Sequence, residues 1–507
     1  MSQEIDREKL RDLTTPFAPS LVPYNEAARR LTEHYHDLLE LPRTPKTGTK
    51  YNYVVASVLA AFQRVLSTEY GLLAWPIKQD PFSPYPLAGR IILENVQKAF
   101  QRKGLITLNR KGGKKLVVTK KAATPEEKDQ FHFKGTATLW SVDEDIMQLD
   151  DFWDAEFQEI GRPYIAVGEF QTRADRYFAM IDARATKRIP TSHLKEQFGN
   201  DEWVSGAGVR RLKDYWQKQP LTFQFYKGHS SYVRHASSAT RIYSNGSMQK
   251  GGRFYGMWSN LSESQRLRAT INGLPVVEID IKASQPTLLS GFLGKPMKVG
   301  THWTDVYGLI VHDIHSDGAL RKVDKTDLKQ KVKSVIMELI GTGNPNKWKP
   351  AKANELSFDM ESQMVLNEKK KGLPYSKYKN EYSLIAHYCK NRVPALYDLK
   401  KGEIDSEFLS FHESEIISWT MHRLLEEKLT GRKVVAYPMH DCLIVAKDAE
   451  DIAVSTLRWC IANYSAREFS TPFMYDAALS IGEAGRSERV LQGRYYNKAD
   501  PMPMRNE

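Results

Sequence analysis

The chain has 507 residues, 41% hydrophobic and 26% charged, with a formal charge of +12 and a pI near 9.2. That length allows two to four domains with a sizeable core, and the positive balance favours an anionic partner. No apolar run reaches membrane-helix length, the polar N-terminus is unlike a signal peptide, and Cys389, Cys442 and Cys460 have neither metal-like nor disulfide-like spacing. The expectation is a cytoplasmic globular protein with no membrane partner.

Residues 1–50 read as an irregular or short-helical lead-in broken by Pro16, Pro19, Pro23, Pro42 and Pro45. From Tyr51 the pattern sharpens: Tyr53, Val54, Val58, Phe62, Val65 and Leu66 fall at helical spacing. After a proline-rich connection, Ile91, Ile92, Val96 and Phe100 mark a second helix, which carries Arg90, Lys98 and Arg102. GLITLNRKGGKKLVVTKK then alternates on both sides of Gly112-Gly113, which predicts a hairpin with Lys114 and Lys115 at a basic tip. Helix, helix, basic hairpin is the order of a winged helix, so residues 1–125 are expected to hold a winged-helix-like DNA-binding region. Arg90, Lys98, Arg102, Lys114 and Lys115 are its candidate contacts; the alternative is an α+β packing unit with a solvated basic loop.

Residues 126–230 read as a connecting, thumb-like region. Its acidic residues Asp143, Asp145, Asp150, Asp151 and Asp154 match no exonuclease spacing, and an acidic run is ordinarily a solvated face, so no proofreading activity is expected. From Tyr226 to Trp258 the chain interleaves Arg, Lys, Tyr and Trp with Gly and Ser, a mixture suited to phosphate contact and stacking.

Leu274 to Gly294 opens with Val276, Val277, Ile279 and Ile281, a buried strand that carries Asp280, and continues into a helix with Pro286 at its first position. A carboxylate on a buried strand is costly unless paired, hydrogen-bonded or metal-bound. Arg432 to Lys447 reads as strand, tight turn, strand, with Asp441 at the bend. Two such carboxylates brought together can hold two divalent cations for phosphoryl transfer. Between them a helix from about Lys325 to Leu339 sets Lys329 and Lys333 on one face, where like charges repel unless an anion bridges them.

D-I-K-A-S-Q-P from Asp280 and M-H-D-C from Met439 resemble motifs A and C of the family-A DNA polymerases and the single-subunit phage-type RNA polymerases. Gly252-Arg253 followed by Asn260-Leu261 resembles the segment preceding motif A, and Lys329-x3-Lys333-x3-Met337-x-Leu339 resembles the motif B helix. The resemblance runs from residue 230 to 490 and points to a divergent member from a phage, plasmid or other mobile element. It implies a right-hand polymerase of the α/β (α+β) class, with palm and fingers over 231–507 and the fingers at about 300–400. It further implies two Mg²⁺ ions on Asp280 and Asp441, with Mn²⁺ as a possible substitute, and DNA template, primer and nucleoside triphosphates as partners. His440 would steady the primer end, and Arg253 and Asn260 would contact primer and template. Lys333, Lys329 and Arg321 would bind the triphosphate, with Ser284, Gln285 and Gly341 beside the nucleotide.

Three departures bear on substrate choice. Cys442 stands where the DNA polymerases of the family have a carboxylate, Gly341 where they have Tyr, and Gln285 where they have Glu. The leading expectation is a DNA-directed DNA polymerase. The alternatives are an RNA polymerase or primase, a reverse transcriptase, and a non-enzymatic replication initiator.

Overall fold

The computed structural model describes residues 14–16, 21–43, 48–67, 72–75, 90–110, 113–114, 135–136, 139–149, 151–159, 165–167, 187–188, 206–227, 230–243, 249–298, 302–303, 305–347, 381–469, 475–476, 478–491 and 493–495. The N-terminal part comprises β1 (Thr14–Pro16), β2 (Leu21–Pro23), α1 (Glu26–Leu38), α2 (Gly48–Leu66), β3 (Leu72–Ala74), α3 (Arg90–Arg102), β4 (Ile106–Arg110) and β5 (Leu139–Val142). The Asn25 side chain starts α1 by accepting from the Ala28 amide at 2.9 Å. Helix α2 is buried on almost every side: Val54, Val58, Leu59 and Phe62 pack with Phe100, Trp75 and Trp140 in one small core.

The sheet on this core has the order β1-β3-β5-β4. The hairpin expected across Gly112-Gly113 is therefore corrected. The return strand of β4 is β5, with Ile106 opposite Val142 and Leu108 opposite Trp140. Trp140 is the reason: it is buried and pairs on its other side with Leu73 of β3, so β5 closes the core as the middle strand. Gly113–Lys114 extends the hairpin by pairing with Gly135–Thr136. The Lys115 side of the expected tip lies outside the described residues.

The main elements that follow, in chain order, are β6 (Phe157–Glu159), α4 (Gly206–Lys218), β7 (Leu221–Lys227), β8 (Ser230–Ala236), β9 (Ala239–Tyr243), β10 (Gly251–Gly256), β11 (Thr270–Ile271), β12 (Leu274–Ile281), α5 (Ser284–Phe292), α6 (Val306–Ser316), α7 (Lys325–Thr342), α8 (Glu381–Arg392), α9 (Ser406–Leu424), β13 (Ala436–Met439), β14 (Cys442–Ala446), α10 (Glu450–Phe469), β15 (Leu479–Glu483) and β16 (Arg489–Leu491). Ten strands form a mixed sheet in the order β13-β14-β12-β11-β7-β8-β6-β2, with β15 added to β12 and β16 to β15. The fold is thus mixed α/β. Strands β2, β6 and β7 share this sheet with β12.

Strand β12 lies between β14 and β15, and Val277, Ile279 and Ile281 are fully covered. Three aromatic rings pin the β13–β14 hairpin beside it. Trp216 donates its indole N–H to the Ala436 carbonyl at 2.8 Å, Trp258 donates to Pro438 at 2.6 Å, and Tyr437 stacks on Trp216.

Helix α7 starts at Asp324, whose carboxylate accepts from the Thr326 and Asp327 amides, and ends at Gly343 in the left-handed region. Leu328, Val332, Val335, Ile336 and Leu339 face inward. In α5 the cap is Ala283, so Pro286 is the third helical residue, not the first. No helix among the described residues is long and apolar enough to cross a membrane.

Candidate active site

Two strained turns aim the chemistry-bearing residues into one cleft. Strands β12 and β14 pair antiparallel with Asp280 opposite Cys442, and the Ile281 amide donates to the Asp441 carbonyl at 3.2 Å. Asp280 and Asp441 are therefore neighbours at the same end of adjacent strands. Between β13 and β14, His440 adopts a left-handed φ of 58°, and after β12 Ala283 adopts 45°. Such a conformation costs a non-glycine residue about 1–3 kcal/mol and persists only where the surroundings enforce it. Here the pinned hairpin enforces the first, and the packing of α5 on α9 the second.

The cleft, of about 490 Å³, is lined by five carboxylates (Asp280, Asp305, Glu413, Asp441, Glu488) and four cations (Arg253, Lys282, Lys329, Lys333). Three of each are matched. Glu413 accepts from the Arg253 guanidinium, with Nε at 2.8 Å, and from the Ser284 hydroxyl at 2.7 Å. Glu488 holds Lys282 at 2.6 Å, and Asp305 holds Lys329. Asp280, Asp441 and Lys333 are left with no ion pair among the described residues. Glu278 sharpens the contrast: it shares the strand face of Asp280 two residues earlier, yet it is buried in a two-point contact with Arg266 at 2.6 and 3.0 Å.

The electrostatics follow from this arrangement. Burial pushes the Asp280 carboxyl up to about 7; Glu488 and Glu413 add to the rise, while Lys282 and Lys333 oppose it. Asp441 is held well above the usual carboxylate range by burial, then by Glu413 and Asp280, against the pull of Arg253. Burial also raises the Tyr307 hydroxyl, with Asp441 the next cause. Burial alone would weaken the Arg253 proton, but Glu413 and Asp441 outweigh it and keep the guanidinium charged.

Hard carboxylate oxygens that are half-buried, adjacent and without a cationic partner suit Mg²⁺ or Mn²⁺. Among the described residues no group of three or more His, Cys, Asp or Glu forms a ready cage. Magnesium does not need one, since it commonly takes one or two carboxylates and completes its shell with water and substrate phosphate. The residues present fit the ion.

The other expected site residues divide. His440 lines the cleft, its ring 5.8 Å from Tyr255. Gln285 is buried, donating to Ser410 Oγ at 3.3 Å, while its carbonyl oxygen has no partner. Arg253 is no free surface contact but is locked to Glu413. Gly341 does not line the cleft; it sits in an adjoining groove of about 510 Å³ with Lys333 and Met337. Arg321 is exposed in the α6–α7 turn, donating to the His315 carbonyl at 3.2 Å, and does not reach the cleft. Asn260 ends a short 3-10 turn and Lys114 an edge pair, Arg90 opens α3, and the side chains of all three lie outside the description, as does Lys115 altogether.

Glu413 is the site residue that sequence reading missed. Glu413, Ser414 and Glu415 are consecutive in α9 and all buried. Three successive helical residues sweep about 200° around the axis, so a wholly polar triplet inside a long helix must turn at least one charge inward. Ser414 and Glu415 meet the buried Arg241, whose Nε donates to the Gly252 carbonyl at 2.8 Å. Gly252, at φ +76°, has no room for a Cβ, which would lie 2.9 Å from both Ser414 Oγ and Tyr243. The close approach of β10 to α9 is what delivers Arg253 to Glu413.

The chain matches no family model and no curated protein. Among solved structures it is similar to the POL domain of Pol1 from M. smegmatis, in complex with DNA primer-template and dNTP. The identity is 15% and the TM-score 0.26, over 62% of this chain and 56% of that one. The chain thus spans little more than half the length of that structure. Likeness at this level fixes neither fold family nor function.

Proposed function

We propose that this chain is a template-directed nucleotidyltransferase, in the first instance a DNA-directed DNA polymerase that extends a primer 3′-hydroxyl with release of pyrophosphate. One observation carries the reading: in a cleft where three ion pairs cancel, two adjacent carboxylates and one facing ammonium remain, the complement of divalent cations and a triphosphate. Asp280 and Asp441 would hold Mg²⁺, which when bound supplies activation of the attacking hydroxyl and neutralisation of the leaving phosphate. Lys333 binds the triphosphate, and its ammonium offsets the negative charge that builds on the leaving group. Lys329, tethered to Asp305, is the second phosphate contact. Arg253 and Ser284 fix Glu413 against the wall behind Asp441, and His440 steadies the primer end. Primer extension on DNA and RNA templates, with dNTPs and NTPs offered separately, tests the reading and ranks the RNA polymerase, primase and reverse transcriptase alternatives.

Sugar choice follows from Gln285. Gln285 lines the cleft and its carbonyl oxygen is buried without a partner; turned toward a bound nucleotide, that oxygen would accept a hydrogen bond from a ribose 2′-hydroxyl as readily as it tolerates its absence. Deoxynucleotides should be preferred, with ribonucleotides incorporated at a readily detected rate and a gap smaller than the roughly 10⁴-fold of a dedicated polar filter. Competition between dATP and ATP on one primed template measures it. Exclusive use of dATP would shift the gate to Tyr307 or Tyr255, and exclusive use of ATP would put the RNA polymerase reading first.

A further inference from the structure

We propose that the outward face of α3 is a second nucleic-acid site, separate from the catalytic cleft, that docks into the major groove of duplex DNA. The helix is sharply two-faced. Leu93, Val96, Ala99 and Phe100 are buried, and Phe100 meets Phe62 of α2 edge-on at 5.3 Å. Ile91, Asn95, Lys98 and Arg102 are exposed at spacings of four, three and four residues, which is one stripe.

Two features of that stripe lack a structural purpose. First, Ile91 is 73% exposed, more than any other large hydrophobic side chain among the described residues. Second, Lys98 and Arg102 have no ion pair among the described residues, unlike four other surface cations of the same part of the molecule. Arg29 meets Glu26, Arg30 meets Asp151, Arg43 meets Asp37 and Lys103 meets Glu40. An apolar side chain followed along the stripe by two cations without ion pairs suits a surface that is both apolar and anionic.

Duplex DNA supplies that combination, with phosphates along the groove rims and thymine methyl groups on its floor. A helix of 13 residues is about 20 Å long and 10–12 Å wide with its side chains, and the major groove is about 12 Å wide. Lys98 and Arg102 then take phosphates and Ile91 packs on base methyls. Asn95 is already tied to the Tyr51 hydroxyl at 3.1 Å, which helps hold α3 against α2. The β4–β5 hairpin follows α3 directly and supplies a second element beside the duplex.

The test uses the full chain, a labelled blunt duplex with no primer end, and no nucleotide, so its outcome is independent of the nucleotidyl-transfer reading. Binding by anisotropy is followed between about 50 and 200 mM salt. Lys98→Ala/Arg102→Ala should bind the duplex about tenfold or more weakly, with a log–log salt slope shallower by about 2. Ile91→Ala should lose several-fold on an A·T-rich duplex and less on a G·C-rich one. All three side chains are exposed, and unchanged thermal midpoints would certify folding. An unaltered affinity and slope in the double variant overturns the proposal, as does the absence of duplex binding by the wild-type chain. Equal competition by an acidic polypeptide overturns it in favour of a protein partner.

Discussion

Replacing Asp441 with asparagine should cut nucleotide incorporation by about 10³-fold or more, roughly 4 kcal/mol at 1.36 kcal/mol per decade, without lowering the melting temperature. The two halves of that result have one cause. Asp441 is held well above its ordinary range by burial and by the nearby Glu413 and Asp280, so its charge is a burden on the fold in the absence of a cation. An amide of the same shape removes the burden together with the ligand. A residue whose loss abolishes activity while leaving the fold as stable or more so is placed for function. Asp280→Asn should behave alike. Because the Asp280 carboxyl is pushed up from 3.8 to about 7, its share of stability is full below the lower value and is lost as pH rises through the upper. A bound divalent cation reverses that loss, so Mg²⁺ should raise the melting temperature at about pH 8 and have little effect near pH 5.5. Calorimetric scans at both pH values check this, and equal shifts would detach the cation from these carboxylates.

Lys333→Ala should reduce kcat/KM for every nucleotide by about 10- to 100-fold, the worth of a charge-assisted contact of roughly 1.5–3 kcal/mol. Both kcat and KM should change, because an ammonium on a phosphate tightens as leaving-group charge develops. Lys329→Ala should cost less. Lys329 is shared with Asp305, and the alanine variant frees that carboxylate to repel the triphosphate only at the cleft wall, whereas Lys333 has its whole charge to give. Lys331, between them in sequence, faces the buried Glu381 at 3.0 Å and belongs to packing. Steady-state kinetics with one nucleotide on a homopolymer template separates the three. An unchanged rate in Lys333→Ala would return that lysine to a solvated helix face.

The carboxylate strands were legible because Asp280 interrupts a β-branched apolar run and Asp441 sits at a tight bend; both are local signals. Helix α7 was legible for the same reason, through its apolar face and the four-residue spacing of Lys329 and Lys333. Glu278 lies in the same run as Asp280 and passes unnoticed, since only its contact with Arg266, across a chain reversal, reveals that it is neutralised. Glu413 passes unnoticed too, because its partners Arg253 and Ser284 lie 160 and 129 residues away. Alternation around Gly112-Gly113 is symmetrical and so points to a hairpin there, whereas what selects the return strand of β4 is the burial of Trp140 against a third strand. The boundary at 125 follows the end of the expected basic hairpin, and nothing local in the sequence shows that β2 pairs in the large sheet.

The most direct measurement is extension of a labelled primer on a DNA template by the full chain with Mg²⁺ and all four dNTPs. Products that lengthen to the template end are expected with the wild-type chain, and none with Asp280→Asn or Asp441→Asn at equal DNA occupancy. A wild-type chain that binds primed DNA yet adds neither dNTPs nor NTPs, with Mg²⁺ or Mn²⁺, would contradict the polymerase reading and leave a DNA-binding protein without catalysis.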